Sequence, residues 1–217
     1  MKMLIVFQKQ GAMRFIGHLD LQRAMQRALR RSGLPVTYSQ GFNPHLMLSF
    51  AAPLSVGIAG EREIMEVPLE GEMQEDSFLS RLNEALPEGL RAGFARALQN
   101  DAPAAMARLF AAQYTIEPYE GAKALLDAVP GFLAQENIPY LRRSKSGEKM
   151  DDLRPMVFNL RAKEGCLYAT LSLNEKATAK PDQLLASLAA FAGLPVPRCL
   201  ITRTALLDSR FAPLEKA

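Results

Sequence analysis

The sequence predicts an α+β fold made of two tandem ferredoxin-like βαββαβ units, and three observations lead there. Strand-like runs and amphipathic helical stretches follow one another in the same order twice along the chain. Each series occupies about half of the 217 residues. Between them, residues 99–107 (QNDAPAAMA) form a small-residue, turn-rich seam. The repeat lies in the order of elements, since no residue-level identity relates the halves. The expected domains are residues 1–100 and 107–209.

In the first half, residues 3–8 (MLIVFQ) form a β-branched and aromatic run that reads as a buried strand, broken at Gly11. Leu21, Ala24, Met25, Ala28 and Leu29 then recur at helical spacing, and Gly33 with Pro35 supplies a stop. Strand-like VTYSQ (36–40) and LMLSFAA (46–52) flank the loop Gly41-Phe42-Asn43-Pro44-His45, where Pro44 pushes Asn43 into an extended conformation. A strand at 62–69, a helix at 74–86 and a strand at 89–98 complete this half.

The second half begins with a strand at 109–118, a helix over 121–135 broken or restarted near Pro130, and a short strand at 138–141. A basic loop at 142–155 follows. Strands MVFNLRA and CLYATLSL meet at a Lys163-Glu164-Gly165 turn. Pro181 then opens a helix through Leu184, Leu185 and Leu188, and residues 199–207 supply the last strand. The tail from Ser209 reads as frayed.

Charge is unevenly distributed. Residues 1–50 hold seven cations against Asp20 alone, whereas residues 51–100 hold nine acids against four arginines. At about 100° per residue, Asp20, Arg23, Arg27, Arg30 and Arg31 fall on one arc about 100° wide, opposite the apolar stripe. The helix therefore carries an arginine ridge. Arginine forks match phosphate, and an aromatic such as Phe42 or Tyr38 can stack an unpaired base. With Arg14, Ser39, Asn43 and His45 close by in sequence, the stretch from Met13 to Ala52 is the candidate binding surface for RNA or a protein partner. Arg142, Arg143, Lys145 and Lys149 are expected to extend it from the second half. An exposed arginine face is also commonly no more than solvated.

With 48 % hydrophobic and 23 % charged residues, the composition is that of a globular protein. No apolar run is long enough to span a bilayer, and the N-terminus turns polar before a signal-peptide core forms, so a cytoplasmic location without membrane contact is expected. Cys166 and Cys199 sit apart in strand-like contexts and read as buried small hydrophobes, leaving no metal-ligand set. No Walker or Rossmann glycine pattern occurs, and no cofactor is expected. His18 is the one weak catalytic candidate: a metal-independent ribonuclease needs a general base, which His18 with His45 supplies only if folding unites them. The spacing His18-x-Asp20 points the two side chains in different directions.

The residues FIGHLDLQRAMQRALRRSGLPVTYSQGFNPH followed by PLSVGI resemble the radical-SAM-linked family of uncharacterised domains, found alone or fused to B12-binding radical SAM proteins. KMDDLRP (149–155) and AKPDQLLASL (179–188) extend the resemblance over most of the chain. It implies a radical SAM protein as partner and work in RNA modification or ribosome-related processing. The chain lacks the CxxxCxxC of a radical SAM cluster, so it is not itself the radical enzyme. The expected function is an RNA-binding accessory module to that enzyme, more a binding protein than a catalyst. The alternatives are an adaptor that contacts only the partner protein, and a ribonuclease using His18.

Overall fold

The computed structural model describes residues 1–120, 122–144 and 147–216. The protein is a mixed α+β chain with few helices, dividing into two compact units. Unit 1 comprises Met1–Leu109 with Ala205–Ala217, and unit 2 comprises Phe110–Thr204.

In unit 1 the strands are β1 (Lys2–Lys9), β2 (Ser49–Phe50), β3 (Ala59–Pro68) and β4 (Leu90–Leu98), with helices α1 (His18–Arg31), α2 (Glu75–Ala85) and the short α3 (Ala105–Arg108). The strand order is β4-β1-β3, and β2 pairs with β3. Every pairing is antiparallel. Alternation on β1 aims Met3, Ile5 and Phe7 into the same core as Leu21, Met25 and Leu29 of α1 and Phe78 and Leu82 of α2. All five apolar positions expected to form the buried stripe of α1 are buried. Burial of such a stripe, more than helix propensity, holds a helix of this length in place.

Unit 2 contains β5 (Ala111–Pro118), α4 (Lys123–Asp127), α5 (Val129–Leu133), β6 (Pro139–Ser144), β7 (Gly147–Asp152), β8 (Val157–Lys163), β9 (Cys166–Ser172) and α6 (Pro181–Phe191). The last strand, β10 (Cys199–Leu207), contributes Cys199–Thr204 to this unit. Its sheet runs β10-β5-β9-β8. The expected break near Pro130 is the α4/α5 junction, with Pro130 in the first turn of α5. The Lys163 turn has Glu164 and Gly165 both at positive φ, the conformation of a two-residue hairpin connection.

Four expectations change. Residues 36–40 and 46–52 form only the bridges Val36↔Leu69 and Tyr38↔Leu46 and the two-residue β2, their backbone pairing through scattered single bonds such as Thr37 N–H to Pro68 O and Ala51 N–H to Ile64 O. Residues 99–107 are not merely a seam: Ala105 is fully buried and its N–H donates to Glu66 Oε2 at 3.0 Å. The basic stretch at 142–155 is mostly the β6–β7 hairpin. The tail is tied down, since Leu214 is 0 % and Glu215 3 % exposed. Arg62 Nε donates to Glu215 Oε1 at 3.0 Å, Arg96 to Glu215 O at 3.1 Å and Arg108 to Leu214 O at 3.2 Å.

Candidate functional site

The site is built on α1. Gly17 enters the helix with extended backbone, Asp20 lies in the first turn, and Arg30 and Arg31 lie in the last, an order that complements the helix dipole. With the apolar stripe inward, Asp20, Arg23, Arg27, Arg30 and Arg31 are all exposed. They do not act alike. Arg23 pairs with Asp20 at 3.2 Å across solvent, an interaction of a few tenths of a kcal/mol. Arg31 Nη2 donates to Ala85 O at the end of α2, at 2.6 Å. Arg81 of α2 reciprocates by donating from Nε to Ser32 O at 3.1 Å and from Nη2 to Gly33 O. Each helix thus receives a guanidinium from the other at its C-terminal carbonyls, where cations are favoured. Among the described residues, none pairs with the guanidinium of Arg27 or of Arg30.

Beside this face runs the segment carrying the expected Gly-Phe-Asn-Pro loop. Gln26 Nε2 of α1 donates to Leu46 O at 3.3 Å, holding the segment against the helix. Met47 N–H donates to Thr37 O and Ser39 N–H to His45 O. Ser39 Oγ lies 2.8 Å from His45 Nδ1 and accepts from His45 N–H at 3.1 Å. Ser39 and His45 therefore close the loop neck, so their first role is structural. Gly41 adopts φ 122°, a conformation that favours glycine. Phe42 is wholly exposed at 111 %, Asn43 is exposed, and Tyr38 is 39 % exposed at the neck. A large aromatic ring without packing at a loop tip is available to a partner.

The histidines stay separate. His18 packs edge-on against Phe50, ring centroids 5.4 Å apart, and its Nδ1 is buried without a hydrogen-bond partner. Arg14 lies close by in the chain with its guanidinium 4.7 Å from the Phe15 ring and its Nε likewise buried and unpartnered. No described hydrogen bond or ring contact joins His18 to His45 or to Asp20. The arrangement places an exposed Phe15 ring and two buried, unpartnered nitrogens at the head of α1, with no assembled acid–base pair.

On the β6–β7 hairpin, Arg142 stands opposite Lys149 but reaches Asp151 at 3.5 Å, and the backbone of Arg143 is opposite Glu148. Lys149 is exposed, while Lys145 lies outside the described residues. The acids of β7 offset much of the charge expected there. Sequence reading missed that Leu141 and Met150 face each other, both exposed, at 43 % and 59 %. It also missed exposed Phe15 (59 %) and Leu19 (64 %) at the head of α1. Both could have been found by asking which apolar residues fall outside the buried stripe.

Among the described residues no group of three or more His, Cys, Asp or Glu is placed to hold a metal. No described helix is long and apolar enough to cross a membrane. Both cysteines are free and half-buried. Burial pushes the Cys199 thiol above its ordinary range, and burial followed by the charges of Glu117 and Glu164 does the same for Cys166.

These features define an α+β protein with an exposed arginine-bearing helix beside an aromatic-tipped loop. The chain belongs to the family described as uncharacterized protein conserved in bacteria (DUF2344), which matches residues 2–181. None of the curated proteins matches it.

Proposed function

We propose that the protein is an RNA-binding accessory module, acting with a radical SAM enzyme in RNA modification or ribosome-related processing, and that both of its units are ferredoxin-like. The carrying observation is the pair Arg27 and Arg30, whose guanidinium groups have no partner among the described residues and which stand on the exposed face of α1, the helix that also anchors the segment bearing the wholly exposed Phe42. Guanidinium groups without internal partners are available to phosphate, and an exposed ring offers a stacking surface for an unpaired base. The strand orders β4-β1-β3-β2 and β10-β5-β9-β8 support the shared fold. The enzyme partner rests on the sequence resemblance.

The test is binding of single-stranded RNA by the full chain and by the double variant Arg27→Glu, Arg30→Glu. Equal affinity in the two, with the variant folded, refutes the proposal. One observation favours the adaptor reading: Phe15 and Leu19 expose apolar surface at the head of the same helix. On that reading Leu19→Asp abolishes co-purification with the radical SAM protein while RNA binding is absent throughout.

A further inference from the structure

We propose that the solvent-facing side of the unit 2 sheet is a separate binding site, which takes an unpaired nucleobase together with its phosphate. Strand register assembles it. Gln113 of β5 is opposite Thr170 of β9, which is opposite Asn159 of β8. Two residues further on, Thr115 is opposite Tyr168, which is opposite Arg161. Side chains two apart share a face, so these six stand in two adjacent rows across three strands. The intervening residues Ala112, Leu167, Leu171 and Leu160 are buried and by alternation belong to the other side.

Spacings of about 4.8 Å between strands and about 6.7 Å between rows give a patch of about 10 by 7 Å, the footprint of one nucleotide. Gln113, Asn159, Arg161, Tyr168 and Thr170, with Thr204 of β10, line a concavity of about 320 Å³ there. Among the described residues no carboxylate lines it, and Arg161 supplies its positive charge. Aromatic rings and guanidinium planes are the surfaces on which unpaired bases stack. Here the Arg161 guanidinium lies 5.2 Å from the Tyr168 ring centre. The Gln113 and Asn159 amides each offer a donor and an acceptor to a base edge, and Arg161 favours a bound anion over a neutral ligand. Thr170, 9 % exposed, forms the floor.

The site shares no residue with α1 or the Phe42 loop, so its failure and failure of the arginine face are distinguishable. The full chain is titrated with a fluorescein-labelled oligouridylate of about 12 nucleotides and, separately, with 5′-UMP and 5′-AMP. Binding of the oligomer alone identifies an RNA strand as the source of the base, and binding of the mononucleotides as well identifies a free nucleotide. Tyr168→Leu weakens binding about 5- to 150-fold, while Tyr168→Phe leaves it within about twofold. Photocrosslinking of a 4-thiouridine oligomer labels the β9 peptide, and does so equally in the Arg27→Glu, Arg30→Glu chain. Should Tyr168→Leu fail to fold, the exposed pair Gln113→Ala, Asn159→Ala replaces it with the same expectation. No binding of any probe by the natural chain, or unchanged binding by the folded variants, overturns the proposal.

Discussion

If the arginine face of α1 meets RNA phosphates, its contribution can be read from salt dependence. Each phosphate neutralised on a single strand contributes a slope of about −0.7 to log affinity against log salt. Four arginines engaged together give about −2.8, an affinity loss of about 50-fold between about 50 and about 200 mM salt. Removing Arg27 and Arg30 halves the slope, and the loss over the same range falls to about 7-fold. This pair is the informative one, because Arg31 also secures Ala85 O and Arg23 is drawn toward Asp20. Arg27→Ala, Arg30→Ala should therefore leave stability nearly unchanged. Fluorescence anisotropy with a labelled oligonucleotide across a salt series measures both slopes, and circular dichroism confirms the fold. A variant slope equal to that of the natural chain would refute phosphate contact by these residues.

Three further outcomes are expected. Phe42→Ala shifts stability by less than about 0.5 kcal/mol, since the ring packs on nothing, whereas Phe78→Ala costs about 3–5 kcal/mol because Phe78 is 0 % exposed in the unit 1 core; urea melts separate the two. Asp208 accepts backbone N–H groups from Ala212 and Arg210, which hold its carboxyl below the ordinary range. A carboxyl held low in the fold stabilises it above the unfolded value of about 3.9 and loses that effect as pH falls through the folded value, so the advantage over Asp208→Asn should be present near neutrality and vanish in acid. Urea midpoints across a pH series would show it, and a pH-independent difference would contradict it. Cys166 and Cys199, both raised, should react slowly with iodoacetamide at neutral pH and faster only above the ordinary thiol value of about 8.5; a neutral-pH rate equal to that of free cysteine would contradict the environments described.

The elements that could be read in advance are those written in consecutive residues. The stripe of α1, the strand at 90–98 and the break before Pro130 depend on local periodicity and turn chemistry, and all three are present. What escaped depends on partners distant in sequence. Counting charges placed Arg31 on the ridge, but only the approach of α2 reveals that it caps Ala85. The sequence likewise presents Arg142 as part of a cationic run, whereas hairpin pairing brings Asp151 within reach. Alternation along β8 or β9 alone marks a polar side. Register makes Gln113, Thr170 and Asn159 neighbours, although residues 113 and 170 lie far apart in the chain.

The return of the C-terminal segment bears on the order in which the chain can fold. Unit 2 is continuous in sequence, whereas unit 1 is closed by a segment that follows it. Unit 1 begins first and finishes last: Arg62, Arg96 and Arg108 wait for acceptors at Leu214 and Glu215. The arginine-bearing helix therefore belongs to a unit that stays incomplete until Leu214 and Glu215 have been added. A chain ending shortly before Leu214 would keep the whole of unit 2 but leave unit 1 without these three anchors.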